Sequence, residues 1–404
     1  MSASSSPSPA EPALPDFNDK PSPLLLLTLA LIGVFAFLQV YSVQSILPDL
    51  QRDLHASVVE LGNAVGATVL AVALAAALIG MFSDAAGRKW LVVVSVLVLA
   101  VPTILMAWAR TVHELTALRF LQGLAVPGVT VVTVAYIGEE FRAGAMARIM
   151  AIYVTGTVLG GFLGRFVLGY LTELMSWRQA FAVMGAFNLA GAALVWRVLP
   201  PSRHFVANPR FSSGLAQLGQ LARNPDVLAP CALGFTVLFG QLGLFTYINF
   251  HLAAPPYGFS AGQLANVFVV YLLGMVVTPL AGHMMPRLGA RRTLLLSVGL
   301  SALGVLLTLL PAAPGIVTGL ALAACGVFVT NASTNSFIAH RVTRGRSLAT
   351  GLYYTAYYTG GFAGAWACGL AYHYGGWRGT VAALLVVQFL GWLMAWRFLG
   401  RRAA

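Results

Sequence analysis

One short run places a carboxylate and two cations between glycines: Gly80-Met-Phe-Ser-Asp84-Ala-Ala-Gly87-Arg88-Lys89. Long apolar stretches flank it on both sides, so these charges cannot face hydrocarbon. The spacing predicts a tight turn between two helices, with glycine allowing the reversal and the charges able to lock neighbouring helix ends. A second acidic pair, Glu139 and Glu140, closes another apolar stretch on the same expected side, within reach of Arg88. Two further arginines, Arg119 and Arg165, stand inside apolar runs, where a charge is costly and usually faces a polar interior. Gln122 lies one helical turn beyond Arg119.

Stepping outward from these residues, the elements that hold them must be membrane helices. The 404-residue chain is 58% apolar and 9% charged, against roughly 25% charged in soluble domains. Twelve apolar runs approach the length of about 20 residues needed to cross a bilayer: 23–47, 58–80, 90–109, 115–138, 147–171, 180–199, 227–252, 262–283, 293–310, 315–338, 347–372 and 380–399. The expected fold is therefore all-α, twelve transmembrane helices in two six-helix bundles. The division is a disordered cytoplasmic tail over 1–22, a first bundle over 23–199, a cytoplasmic linker over 200–226 and a second bundle over 227–404. The tail is Ser/Pro-rich and acidic and lacks the cationic start of a secretory signal.

With the N-terminus inside, 18 of the 24 Lys and Arg residues fall in cytoplasmic segments, four outside and two within helices. That bias predicts cytoplasmic termini, and it accounts for the net charge of +12 without nucleic acid, since the basic residues are scattered over many loops. Cys231, Cys325 and Cys368 each lie inside an apolar run and read as core residues, with no disulfide, metal or cofactor implied.

The chain also repeats. Gly80-x-x-x-Asp84-x-x-Gly87-Arg88-Lys89 has a degraded echo, Gly282-x-x-x-Pro286-x-x-Gly289-Ala290-Arg291, and Ser176-Trp177-Arg178 is echoed by Gly376-Trp377-Arg378. Two repeats of this kind are a common plan of secondary transporters.

The Asp84 run resembles the G-x-x-x-D-x-x-G-R-[RK] motif of major facilitator superfamily transporters. Leu47-Pro48-x-x-x-x-Asp53-Leu54 and Arg119-x-x-Gln122-Gly123 strengthen that resemblance. It implies a gating cluster of Gly80, Asp84, Gly87, Arg88 and Lys89 with Glu139 or Glu140, and a proton-coupling role for Arg119 with Gln122. The run Gly156-x-x-x-Gly160-Gly161-x-x-Gly164-Arg165 resembles the fifth-helix motif of drug/proton antiporters, without the proline that follows the glycine there. Its small residues also suit close helix packing. The branch named for acriflavine sensitivity and arabinose-like efflux is the one resembled, which implies a monomer in the bacterial inner membrane.

Substrate contacts are expected from polar and aromatic groups on inner faces: Gln39, Tyr41 and Gln44 in the first run; Arg165; Gln241, Tyr247 and Asn249; Asn331 and Asn335; Tyr354 and Tyr358. From Val227 onward there is no Asp or Glu, and no carboxylate is placed mid-helix, so a coupled proton must use a helix-end acid or a histidine such as His251, His283 or His340. No nucleotide loop or catalytic elbow is present, which points away from an enzyme and toward a gradient-driven carrier. Proton-coupled export of a small molecule is the leading expectation. Proton-linked uptake of a metabolite or organic anion, and a transport-dead membrane sensor, stand as alternatives.

Overall fold

The computed structural model describes residues 21–202, 223–341 and 346–398, and among them the regular structure is helical throughout. Residues 1–20 of the tail expected over 1–22 and most of the linker expected over 200–226 lie outside the described residues. In chain order the helices are α1 (Pro23–Tyr41), α2 (Leu47–Leu54), α3 (Val58–Ala86), α4 (Arg88–Leu105), α5 (Val112–Glu140), α6 (Ala143–Leu174), α7 (Trp177–Val198), α8 (Pro225–Ala253), α9 (Ala261–Val267), α10 (Leu272–Leu307), α11 (Ala313–Arg341) and α12 (Arg346–Phe398). Two 3-10 turns interrupt helical spans: Ser42–Ile46 between α1 and α2, and Phe268–Tyr271 between α9 and α10.

Local chemistry fixes several of the starts. Ser57-x-x-Glu60, Ser176-x-x-Gln179 and Ser260-x-x-Gln263 are full capping boxes for α3, α7 and α9, each closing free backbone N–H groups at the helix head. Thr111 and Asn224 cap α5 and α8 in the simpler way.

Among the described residues, ten helical segments are long and apolar enough to cross a membrane. Twelve separate runs were expected. The difference lies at two places, because the runs 262–283 and 293–310 join without a loop, as do 347–372 and 380–399. The joined segments, Ala261–Leu307 and Leu348–Arg397, are 47 and 50 residues long. At about 1.5 Å per residue each would extend roughly 70 Å if straight, more than twice the hydrocarbon core of about 30 Å. Each is broken by one glycine at positive φ, Gly289 (φ 77°) and Gly376 (φ 57°).

The burial pattern is that of a multi-pass membrane protein. Leu74, Trp90, Val276 and Phe389 are exposed on outer faces, whereas Gln39, Gln44, Arg119, Arg165 and Asn188 are buried. In the first half α1 packs on α6, α3 on α5, and α4 on α5 and α7. In the second, α8 packs on α12 and α10 on α11. Between the halves, α3 meets α12 and α6 meets α9. Two ends of the molecule are named below the Asp53 end and the Arg88 end.

Candidate functional site: a central arginine between two interrupted helices

At the Arg88 end, Gly87 carries φ 83° in the turn from α3 to α4. Its repeat mate Gly289 carries φ 77°. The two copies of the motif therefore keep the same left-handed backbone, although the second has lost its acid and its first cation. Only glycine enters that region without a side-chain penalty. Arg88 grips Glu139 with a planar fork, Nε to Oε2 at 3.0 Å and Nη2 to Oε1 at 2.6 Å, and its Nη1 donates to Ser83 Oγ. The fork ties the head of α4 to the tail of α5, and a bidentate pair of this kind is both strong and directional. Glu140 is buried beside it and Lys89 is half-buried. The surroundings of Gly80, Asp84 and His340 lie outside the described residues.

Arg119 is fully buried in α5. Its Nη1 donates to the Gln39 carbonyl at 2.7 Å and to Gln122 Oε1 at 2.9 Å, and its Nη2 donates to the Val40 carbonyl. Those carbonyls close α1, where the α-helix gives way to the 3-10 turn and the regular acceptors lose their partners. Arg119 is thus a cationic cap on the negative end of α1. Gln122 continues the network to Thr103 Oγ1 at 2.7 Å. Gln39 turns away from the centre and donates to Asn188 at 3.3 Å.

The glycine run of α6 divides by function. Gly156, Gly160 and Gly164 form a stripe against α1, where a Cβ would lie well inside contact with the carbonyls of Ala30, Val34 and Leu38 in turn. Both partners advance four residues at a time, so the two backbones are in direct contact along three turns. Gly161 points elsewhere, toward Arg165 and Tyr41. The second half repeats the device: Gly360 and Gly364 of α12 press on the backbone of Phe235 and Phe239 in α8. Gly160-Gly161-Phe-Leu-Gly164-Arg165 and Gly360-Gly361-Phe-Ala-Gly364-Ala365 align at a shift of 200 residues, a match the sequence reading above did not use. Arg165 corresponds to Ala365, so the arginine belongs to one half alone.

Arg165 marks the meeting point of the halves. It is 1% exposed. Its Nε donates to Gln44 Oε1 at 2.7 Å, and its Nη1 donates to the Gly161 carbonyl. Gln44 donates in turn to Thr246 Oγ1 of α8 at 2.9 Å. Gln44 and Thr246 belong to different halves and lie 202 residues apart, so this hydrogen bond joins the halves directly. The guanidinium is ringed by Tyr41 of the first half and by Phe268 and Tyr271 of the second, with ring centres 4.4, 4.7 and 4.5 Å from Cζ. Gln44 lies in one 3-10 interruption, and Phe268 and Tyr271 lie in the other. Interrupted helices beside a repeat interface are a recurring setting for transported ligands.

The remaining candidates separate into groups. Tyr354 and Tyr358 pack ring beside ring, 6.3 Å between centroids, and Tyr354 is 38% exposed. Gln241 is buried next to Tyr271. Tyr247 is fully buried, fits against Gly62 of α3 and donates to the Ala365 carbonyl at 2.5 Å. Asn249 returns its amide to Phe245 of its own helix. Asn331 accepts from Tyr353 at 2.7 Å and from Asn335 at 3.0 Å, a cluster within the second half. Sequence reasoning missed Thr246, Phe268 and Tyr271, since a single polar or aromatic residue in an apolar run carries no periodic signal.

At the Asp53 end, Asp53 accepts from Trp177 Nε1 at 2.7 Å and Arg178 Nη1 at 3.0 Å. The repeat mate Trp377 donates instead to the Thr308 carbonyl at 3.0 Å and stacks on His251. Glu173 reaches across from α6 and accepts from Ser260 Oγ at 2.5 Å and from the Gly262 N–H at 2.9 Å, while Tyr170 donates to Asn266 at 3.0 Å. Among the described residues, the hydrogen bonds joining the halves gather at this end and at Gln44.

The profile of the Major Facilitator Superfamily matches residues 29–365 and 252–404. The chain is 31% identical over 336 residues to the inner membrane transport protein YnfM of Escherichia coli (strain K12), covering 82% of this chain and 81% of that protein. It is 28% identical over 332 residues to the uncharacterized MFS-type transporter YybF of Bacillus subtilis (strain 168), covering 81% of each. A solved structure, a bacterial homolog to human lysosomal transporter Spinster in inward-facing and unoccupied conformation, aligns with a TM-score of 0.74 at 17% identity, over 95% of this chain and 100% of that one.

Proposed function

Because the chain belongs to the major facilitator superfamily of transporters, we propose that it exports a small molecule across the bacterial inner membrane in exchange for protons, by alternating access of two six-helix bundles. Reading Gly289 and Gly376 as turns between crossings makes twelve spans of the ten described. The positive-inside count then places both termini and the Arg88 end in the cytoplasm.

The observation that carries alternating access is the Gln44–Thr246 contact between the two halves, with a buried arginine hung on it. A site at the interface of the halves can be offered to either side by rocking one half against the other. In this state the outward path is shut by Glu173 on Ser260 and Gly262, by Tyr170 on Asn266, and by α3 on α12. The Arg88–Glu139 fork joins two helices of one bundle, so its work is to hold that bundle's inner rim as one body while the bundles move. Arg119 couples to the same motion through the α1 break it caps. The antiporter direction is supported by the resemblance of the fifth-helix glycine run to the motif of drug/proton antiporters. The unpaired arginine at the centre also suits uptake of an anion, and that reading is retained as the second.

Proteoliposomes with an imposed pH gradient separate the two directions. Antiport accumulates substrate in the acidic compartment, whereas proton-linked uptake accumulates it in the alkaline one. Gradient-insensitive flux would sink proton coupling in either direction.

A further inference from the structure

Arg165 is a buried cation short of a partner. Its Nη2 makes no hydrogen bond, and no carboxylate among the described residues pairs with it. The Tyr271 ring lies 4.5 Å from the same guanidinium, and its hydroxyl has Gln241 as its polar neighbour. An N–H of Arg165 is therefore left open beside the Tyr271 ring. Buried donors are rarely left so, and a charge inside the membrane is ordinarily paired.

From this corner we infer that the transported ligand is a small organic monoanion, a carboxylate on a flat apolar or aromatic body. The carboxylate accepts from Arg165 Nη2 and the Tyr271 hydroxyl and supplies the counter-charge the site lacks. It carries one negative charge because the repeat mate of Arg165 is Ala365 and the other buried cation, Arg119, is already taken up by the Gln39 and Val40 carbonyls and Gln122. The body lies against the rings of Tyr41, Phe268 and Tyr271 that surround the same guanidinium, whose faces suit a flat, weakly polar solute. A permanent cation would meet a like charge there and no carboxylate. The inference rests on the transporter reading above and names its substrate class.

Three isosteric probes test it on purified protein by calorimetry: benzoate, benzamide and benzylammonium. Charge-assisted hydrogen bonds of this kind predict benzoate binding about tenfold to a hundredfold more tightly than benzamide, with benzylammonium weakest. Arg165→Gln removes the preference, and Arg165→Lys keeps part of it. Tyr271→Phe, which keeps the ring and the packing, weakens benzoate a few-fold and leaves benzamide unchanged, and it serves if Arg165→Gln does not fold. Equal binding of benzoate and benzamide, a preference that survives Arg165→Gln, or no binding of any probe overturns the inference. Binding needs no gradient, so it is separable from flux: gradient-driven flux of any solute without anion preference defeats this inference alone, and anion preference without flux defeats the transport reading alone.

Discussion

Removing the Arg119 guanidinium separates a structural role from an electrical one. The side chain satisfies the Gln39 and Val40 carbonyls and the Gln122 amide oxygen, all in a fully buried setting. Arg119→Ala strands both carbonyls where α1 breaks, at about 1–3 kcal/mol for each unsatisfied group. Side-chain hydrogen bonds measured inside membranes average nearer 0.6 kcal/mol, which pulls the sum toward its lower end. Losing a membrane-buried cation works in the other direction, by up to roughly 3 kcal/mol on insertion scales, although much of that cost is already met by the carbonyls in the folded protein. The net expectation is a loss of about 2 kcal/mol, or roughly a 30-fold fall in the folded-to-unfolded ratio. The assay is thermal denaturation of detergent-purified protein, run beside gradient-driven flux in proteoliposomes. Arg119→Ala should lower both together, and Arg119→Lys should recover part of each, since an ammonium can still donate to a carbonyl but lacks the planar fork. An alanine variant with wild-type thermal stability and no uphill flux would refute the capping argument and leave charge as the residue's contribution.

Arg88→Ala and Glu139→Ala should be strongly non-additive in a double-mutant cycle on thermal stability, with a coupling of about 1–2 kcal/mol for the fork; additive losses would remove it. Gly164→Ala should destabilise the protein by about 1–3 kcal/mol because its Cβ meets the Leu38 backbone. Gly161→Ala should fold normally, since its Cβ would sit 3.7 Å from Arg165 Nη1 and from the Tyr41 ring, an ordinary contact; equal thermal losses for the two would contradict the stripe. Gly87→Ala and Gly289→Ala should each lose about 1–2 kcal/mol to left-handed backbone strain, whatever the space around them; a wild-type melting temperature in either variant would show the turn to be adjustable.

Features with a period were legible in the sequence, and features made by a single side chain were not. Long apolar runs announced the spans. The echo of Gly87 in Gly289 was legible as a motif, and the structure adds that both glycines carry positive φ. The Gly156, Gly160 and Gly164 stripe was readable as packing, but which helix it packed on was not, because only the fold brings α1 alongside. The joined helices at Gly289 and Gly376 escaped prediction since a glycine inside a continuous helical pattern does not say whether a loop follows. The partners of Arg165 are spread over residues 41 to 271, and nothing local connects them. Arg119 shows the opposite limit: its importance was visible, yet the carbonyls it caps become acceptors only where α1 turns to 3-10 geometry.

Alternating access is the central claim, and distances between spin labels at the two ends test it most directly. In a background with Cys231, Cys325 and Cys368 replaced, one pair of labels at Arg110 and Tyr374 reports on the Asp53 end, and another at Gly144 and Arg287 reports on the Arg88 end; all four positions are exposed. Measured by double electron–electron resonance in lipid nanodiscs at neutral and acidic pH, with and without benzoate, the two distances should change in opposite directions, the Asp53 end lengthening as the Arg88 end shortens. Distances that stay fixed under every condition, or that lengthen together, would contradict the account.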